Sequence, residues 1–173
     1  MTDKKSLSFA RAIQATQSLI EKINAGQLNE DDIEQEVSAI VENVDGGRGF
    51  FVVYLTSKLS LPDRPSLGII KGLRSSTEII SELLVKNLAM SSAMIVAHSR
   101  NKDFESIKGS QRVCKRTVHL IQEIRLDSIS QKLEQLKATI INGKGEYSGF
   151  LERWEYDVEQ KKAIQEAIAS VLV

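Results

Sequence analysis

The sequence has little glycine, proline or cysteine, and each shortage excludes a class of structure. Glycine and proline together account for 12 of 173 residues, which is below the usual share and leaves few turns for a β-sandwich or barrel. The single cysteine, Cys114, excludes an internal disulfide bond and is typical of a reducing compartment. The residues after Met1 lack the apolar core of a signal peptide. No uncharged apolar run reaches the roughly 18 residues that a membrane span needs. We therefore expect a cytoplasmic protein without a membrane span.

The composition that remains is typical of a packed helical chain. Hydrophobic residues make up 42% of the sequence and charged residues 27%, which is enough apolar material for a core. A chain of this length normally forms one domain, so we predict a single helical domain over residues 1–173. Apolar residues recur at helical spacing, which predicts an all-α fold: a bundle of about seven helices around a buried central helix at about residues 77–100.

The prediction of a central helix depends on one long apolar segment. From Leu83 to Ala97 the only charged side chain is Lys86, and a helix that is apolar on most sides is normally buried. The residues Ser75-Ser-Thr-Glu78 predict a capping box at its start. Asn29 and Asp127 are predicted to cap two other helices.

One short segment is ambiguous between strand and helix. Phe50-Phe-Val-Val-Tyr-Leu55 has the composition of a strand, but no second convincing strand is present to pair with it. We predict a short buried helix over about residues 47–58, and an intermolecular strand pair stays open as the alternative. Glycines are predicted to form a turn at 46–49 and to break or kink a helix at Gly109, and the last helix is expected to run over about 147–172.

Basic residues suggest a site for an anion. Arg48 lies between glycines whose backbone N–H groups could cradle a phosphate. Arg112, Lys115 and Arg116 share one helical face within a basic stripe at 100–116. A solvated face, or a docking face for the acidic residues at 28–47, is the simpler interpretation. Nucleic acid is not expected as a partner, because the isoelectric point is about 6.8 and no aromatic side chain lies among these cations.

The chain offers few groups for catalysis or metal binding. His98, Cys114 and His119 are its only soft ligands, and none has the spacing of a zinc motif. We leave open whether these three side chains converge, and we predict no catalytic residue, metal or cofactor. An enzymatic role is therefore the least favoured of the three classes considered.

Aromatic residues and charge segregation favour a protein partner. Tyr147, Trp154 and Tyr156 belong to a group of aromatic residues near the C-terminus, which we interpret either as core or as a partner interface. Residues 28–47 carry seven acidic and no basic side chains, whereas 48–116 carry twelve basic and five acidic ones. In a dimer with two-fold symmetry, the acidic stretch of each copy could face the basic stretch of the other, so we expect a homodimer.

Three stretches carry a resemblance to a known group of proteins: Asp45-Gly-Gly-Arg-Gly-Phe-Phe-Val-Val-Tyr-Leu55, Ser81-Glu-Leu-Leu-Val-Lys-Asn-Leu-Ala-Met90 and Gly145-Glu-Tyr-Ser-Gly-Phe-Leu-Glu-Arg-Trp-Glu-Tyr-Asp157. The sequence resembles an uncharacterised family of small, all-helical cyanobacterial proteins. That resemblance implies a cytoplasmic protein of a photosynthetic bacterium, and it assigns no activity, ligand or functional residue. The leading expectation is a non-enzymatic helical interaction module that acts through a protein partner or self-association. The alternative is a binder of a phosphorylated or polyanionic ligand through Arg48 and the 100–116 stripe.

Overall fold

The computed structural model describes residues 6–172, and within that range the chain is all-α. No strand is present in the described residues, so the ambiguous segment at 50–55 is helical as predicted. A short 3₁₀ turn covers Leu61–Asp63. The helices are α1 (Phe9–Asn24), α2 (Glu30–Ile40), α3 (Val44–Thr56), α4 (Leu67–Arg74), α5 (Thr77–Arg100), α6 (Phe104–Ile124), α7 (Asp127–Asn142), α8 (Ser148–Arg153) and α9 (Val158–Val171).

The contacts divide the chain into two compact units, the first ending at Leu83 and the second beginning at Leu84. Helix α5 contributes its first turns to the first unit and the rest of its length to the second. Whether the chain is one domain over 1–173 stays a prediction. In the first unit α1 packs along α3 and α2 packs along α4. In the second unit α9 contacts both α6 and α7.

The predicted turn at residues 46–49 is wrong. Asn43 caps α3 by accepting a hydrogen bond from the Gly46 N–H, with Asn43 Oδ1 2.7 Å from the nitrogen, so the glycines lie inside the helix. Their role is close packing: a Cβ atom at Gly49 would come 2.6 Å from the Cβ of Ala12 on α1. Gly68 and Gly72 likewise bring α4 against α2.

Helix α5 has the predicted bounds and is extensively buried. Nine of its residues between Ile80 and Ala93 are buried, and Leu84 and Leu88 are fully inaccessible to solvent. By length and composition alone α5 could cross a membrane, and half of its most apolar stretch is buried inside the fold. Core helices of soluble proteins pass the same test, so this property does not place the chain in a membrane.

Two predicted helix boundaries in the second unit differ from the structure. Gly109 does not break α6, which runs through it without interruption. The predicted last helix is instead divided into α8 and α9, because Glu155 adopts a left-handed conformation with φ 50° between them. The division of the last helix adds one helix and the unbroken α6 removes one; residues 6–172 contain nine α-helices, against the predicted seven or so.

The predicted caps have mixed outcomes. Asn29 forms a reciprocal capping box with Asp32, as the acidic first turn of α2 indicates. The predicted caps at Ser75 and Asp127 are wrong. The Ser75 hydroxyl donates to the Gly72 carbonyl at the end of α4, and Asp127 lies in the first turn of α7, after Leu126 at the N-cap.

Candidate functional site

Arg48, the first predicted anion ligand, lies exposed on α3 in the first unit. Its Nη1 atom lies 3.4 Å from Oδ1 of Asp45, one turn earlier. Its guanidinium carbon lies 5.1 Å from the ring centroid of Phe9. Because the glycines beside it are helical, their backbone N–H groups form no loop that could cradle a phosphate.

The predicted basic face on α6 is only partly exposed. Arg112 and Lys115 are exposed and make no ion pair with any described residue. Arg116, by contrast, is 4% exposed and interacts within the fold. The structure therefore leaves two cations of the predicted three at the surface, and both belong to the second unit.

Cys114 and His119, both on α6, contact different residues. The Cys114 thiol lies 3.7 Å from the Ser92 hydroxyl. His119 Nε2 lies 3.6 Å from the Glu123 carboxylate one turn away. Among residues 6–172, no group of three histidine, cysteine, aspartate or glutamate side chains is placed to hold a metal ion.

The C-terminal aromatic residues divide between core and surface. Tyr147 and Tyr156 are 4% and 7% exposed, and both rings pack edge-on against Phe150. Trp154 is 48% exposed at the end of α8. Of the three predicted interface residues, Trp154 is thus the one that the second unit presents to solvent.

An ion-pair cluster that the sequence did not reveal joins α5 to α9. Arg100, at the end of α5, donates through Nη1 to Asp157 Oδ2 at 2.6 Å and through Nη2 to Asp157 Oδ1 at 3.1 Å. It also donates to the Glu159 carboxylate. We call these three residues the Arg100 clamp. Hydrogen bonds from Arg100 lower the pKa of Asp157 to about 2, and the two carboxylates raise the pKa of Arg100.

Three exposed apolar side chains lie close in sequence to the members of this clamp. Val158, which is 86% exposed, lies between the two acidic members of the clamp. Phe104, which is 69% exposed, begins α6 directly after the short connection that follows Arg100. Trp154 precedes Asp157 by three residues. We call Phe104, Trp154 and Val158 the apolar patch of the second unit.

A cavity of about 250 Å³ lies between α7, α8 and α9. Leu151 and Tyr156 line it with buried side chains, and Glu152, Glu155 and Lys161 also line it. A second cavity, of about 420 Å³, lies beside the end of α7 and includes Asn142 and Glu146 in its lining. Both adjoin the Gly143–Gly145 connection, where the two glycines adopt positive φ.

Comparison with known proteins gives a family without an assigned activity. No curated protein and no solved structure matches the sequence. The family model described as "Uncharacterised conserved protein UCP020893" matches residues 8–171, which is nearly the whole chain. This match is consistent with the predicted resemblance to an uncharacterised family. The chain therefore belongs to the uncharacterised family that this model describes.

Proposed function

We propose that the protein is a non-enzymatic helical interaction module that acts through a protein partner or a second copy of itself. The observation that carries this proposal is the exposure of Phe104 and Val158. Phe104 begins α6 and Val158 begins α9, and the Arg100 clamp joins the end of α5 to the start of α9. An exposed apolar patch on a polar background is typical of binding surfaces, and the proposal takes these side chains to form one. Trp154 adds the residue type that most often dominates binding energy.

The clamp supports the proposal because it prepares the surface before binding. A bidentate arginine–carboxylate pair has a defined geometry. It fixes the start of α9 against the end of α5, so Val158 loses little conformational freedom when a partner covers it. A smaller loss of conformational entropy on binding makes the binding free energy more favourable.

Self-association is tested by sedimentation of the full chain from about 1 to about 100 µM. The double variant Phe104→Ser and Val158→Ser should weaken association by at least about tenfold, because interface anchors contribute most of the affinity. Leu67→Ser with Ile141→Ser is the matched control, since both residues are more than half exposed outside the patch. Equal weakening by both pairs would contradict a role for the patch.

A protein partner is tested by placing a photo-crosslinking amino acid at position 104 or at position 141 in cells that naturally make the protein. We expect one discrete crosslinked product from position 104 and none from position 141. Identical products from both positions would argue against the apolar patch as the contact. A cytoplasmic location and a cyanobacterial origin belong to the same proposal and rest on the composition and the resemblance.

Anion binding is the second candidate, and the exposed, ion-pair-free Arg112 and Lys115 favour it. Binding of a polyanion through these cations should release counterions and weaken as salt increases. Retention on a heparin column should therefore fall with salt and should be lost in Arg112→Ala with Lys115→Ala. Salt-independent passage of the wild-type protein would remove this candidate.

A further inference from the structure

We propose that one face of α6 binds the surface of an anionic lipid bilayer. Phe104, Lys108, Arg112 and Lys115 form this surface, which we call the α6 face. The proposal rests on the anion-binding candidate above, because both use Arg112 and Lys115, and it names the anion as the headgroups of a membrane. Binding of this kind is peripheral and needs no segment that crosses the bilayer.

The first argument is the arrangement of the α6 face. Intervals of four, four and three residues separate its members, so they share one side of the helix over a length of about 16 Å. All of them are exposed. The fold covers the opposite side of the helix, where Thr117 and Ile124 have no solvent exposure. A single element therefore presents the whole face to solvent.

The α6 face carries positive charge that few acidic residues balance. Residues 106–122 contain four basic and no acidic side chains, and of these four only Arg116 is buried. Arg112 and Lys115 make no ion pair with any described residue. Lys108 lies 3.5 Å from Glu105, but both side chains are largely exposed, so this pair contributes little. The chain as a whole has no net charge, so an anionic surface is attracted by this local charge and not by the molecule as a whole.

The second argument is the aromatic ring at the N-terminal end of the same face. Phe104 is 69% exposed, the largest exposed fraction of any aromatic side chain in residues 6–172. Helices that lie on a membrane insert Phe, Trp or Leu side chains between the headgroups and the acyl chains, and their Lys and Arg side chains attract the anionic lipids. Lys102 is exposed two residues before Phe104 and adds a further cation at this end.

The combination of charge and an exposed ring favours a bilayer over other anions. A small phosphorylated compound normally binds in a pocket, and α6 lines neither of the two cavities described above. A polyanion such as heparin would pair with the cations and leave the Phe104 ring in water. An anionic bilayer offers negative charge and, directly beneath it, an apolar layer that receives the ring.

The test measures flotation of the full-length protein with lipid vesicles. Vesicles of phosphatidylcholine alone are compared with vesicles that contain about 30% phosphatidylglycerol, in about 0.05 M and about 0.5 M salt. We expect binding to the anionic vesicles in low salt and at least about tenfold weaker binding in high salt, because salt screens the headgroup charge. Neutral vesicles should bind at least about tenfold more weakly than anionic ones.

Variants locate the contact on the α6 face. Arg112→Ala with Lys115→Ala should weaken vesicle binding at least about tenfold, because each cation near an anionic bilayer strengthens binding about fivefold. Lys137→Ala with Lys162→Ala is the matched control, since it removes the same charge from exposed positions outside α6, and it should change binding less than about threefold. Phe104→Ser keeps every charge and should weaken binding at least about fivefold. Far-ultraviolet circular dichroism confirms that each variant is folded.

A fluorescence measurement distinguishes a bilayer from a soluble polyanion. The double substitution Phe104→Trp and Trp154→Phe moves the only tryptophan of the chain to the α6 face. Its emission should shift to shorter wavelength on anionic vesicles, because the ring leaves water for the headgroup boundary. Heparin supplies the charge without an apolar layer and should leave the emission wavelength unchanged.

Three results would overturn the proposal. The first is the absence of flotation with anionic vesicles in low salt; salt-sensitive retention of the same protein on heparin would then show that anion binding stands without a membrane. The second is equal weakening by the α6 pair and by the control pair, which would assign binding to the charge of the whole molecule. The third is an unchanged emission wavelength on vesicles that bind the protein. Self-association is measured separately, by sedimentation without vesicles.

Discussion

At the scale of single residues, partners distant in sequence determine what a side chain does. The sequence places Arg100 in a basic stripe because of its neighbours, but its carboxylate partners lie at positions 157 and 159. Arg116 has helical spacing with two exposed cations and is nevertheless buried. Local spacing predicts which residues share a helix face, whereas it does not say which part of that face another helix covers.

The first prediction concerns the Arg100 clamp. The pKa of Asp157 is about 2 in the folded chain against an ordinary value of 3.8. The pairing therefore stabilises the fold above about pH 4, and this contribution is lost as the pH falls toward 2. Asp157→Asn keeps a good N-cap residue but removes the charge. It should lower stability at neutral pH and flatten the pH dependence of denaturant unfolding between pH 4 and 2.

Glu166→Gln is the control for this prediction, because it removes one exposed charge from α9 without touching Arg100. It should leave the stability at neutral pH and the pH dependence of unfolding close to those of the wild type. If Asp157→Asn behaved like Glu166→Gln, the clamp would contribute nothing to folding. That outcome is the usual one for isolated surface ion pairs, so the bidentate geometry is what the measurement tests.

The second prediction concerns the core of α5. Leu84 and Leu88 have no solvent exposure, so Leu84→Ala or Leu88→Ala should reduce the free energy of unfolding by about 2–5 kcal/mol through lost burial and the cavity left behind. Ile141→Ala, at a side chain that is 62% exposed, should cost less than about 0.5 kcal/mol. Urea melts compare the three variants, and losses below about 0.5 kcal/mol at both Leu84 and Leu88 would show that α5 is not part of the core.

At the scale of helices, apolar periodicity and capping residues predict that a helix forms better than they predict where it begins and ends. The bounds of α5 and the capping box at Asn29 follow directly from residue type and spacing, and the structure confirms them. The division between α8 and α9 could not be predicted, because the left-handed residue there is Glu155 rather than a glycine. Proline and glycine are the usual signals for such a break, and neither is present between positions 150 and 158.

Glycine was the least informative residue for the fold. The same residue type ends a helix by adopting positive φ, as at Gly143, and permits close packing of two helices, as at Gly49. A glycine-rich stretch after an acidic helix resembles the first case, but Gly46, Gly47 and Gly49 belong to the second. The difference depends on which helix lies opposite, and only the folded chain supplies that information.

The third prediction separates these roles by the same substitution at two positions. Gly49→Ala should destabilise the fold by about 1–3 kcal/mol, since its Cβ would lie 2.6 Å from the Cβ of Ala12 and 2.9 Å from the Phe9 carbonyl oxygen. Gly109→Ala should stabilise it by about 0.5–1 kcal/mol, because Gly109 is within α6 and no atom lies within 4 Å of the added carbon. Thermal and urea unfolding measure both. A loss of stability at Gly109→Ala would mean that α6 is interrupted there.

At the scale of the whole molecule, the candidate sites were less predictable than the fold. Cavity-lining residues come from three helices, and no motif in the sequence joins Tyr156 to Lys161 or either of them to Ser148. The exposure of Phe104 and Val158 could not be predicted from the sequence either. Each is the first residue of its helix, and the spacing of apolar residues does not show on which side such a residue lies. By contrast, the segregation of charge can be read from the sequence and needs no structure.

The last prediction uses that segregation to separate two sources of self-association. Residues 28–47 carry seven acidic side chains and no basic ones, and residues 48–116 have an excess of seven basic ones. Exposed charges are screened by salt over about 8–10 Å and contribute roughly 0–1 kcal/mol per pair. An apolar interface is insensitive to such screening, and salt that strengthens the hydrophobic effect favours it.

We expect a dimer of about twice the 19.3 kDa of one chain whose dissociation constant changes by less than about tenfold between low and high salt, because the apolar patch supplies most of the stability and charges mainly steer encounter. Light scattering and sedimentation across salt concentrations measure the constant, and stopped-flow mixing measures the association rate. The rate should fall with salt more steeply than the affinity does. A dimer that dissociates completely in high salt would assign the contact to the charged stretches instead, and a mass that stays at one chain throughout would exclude self-association.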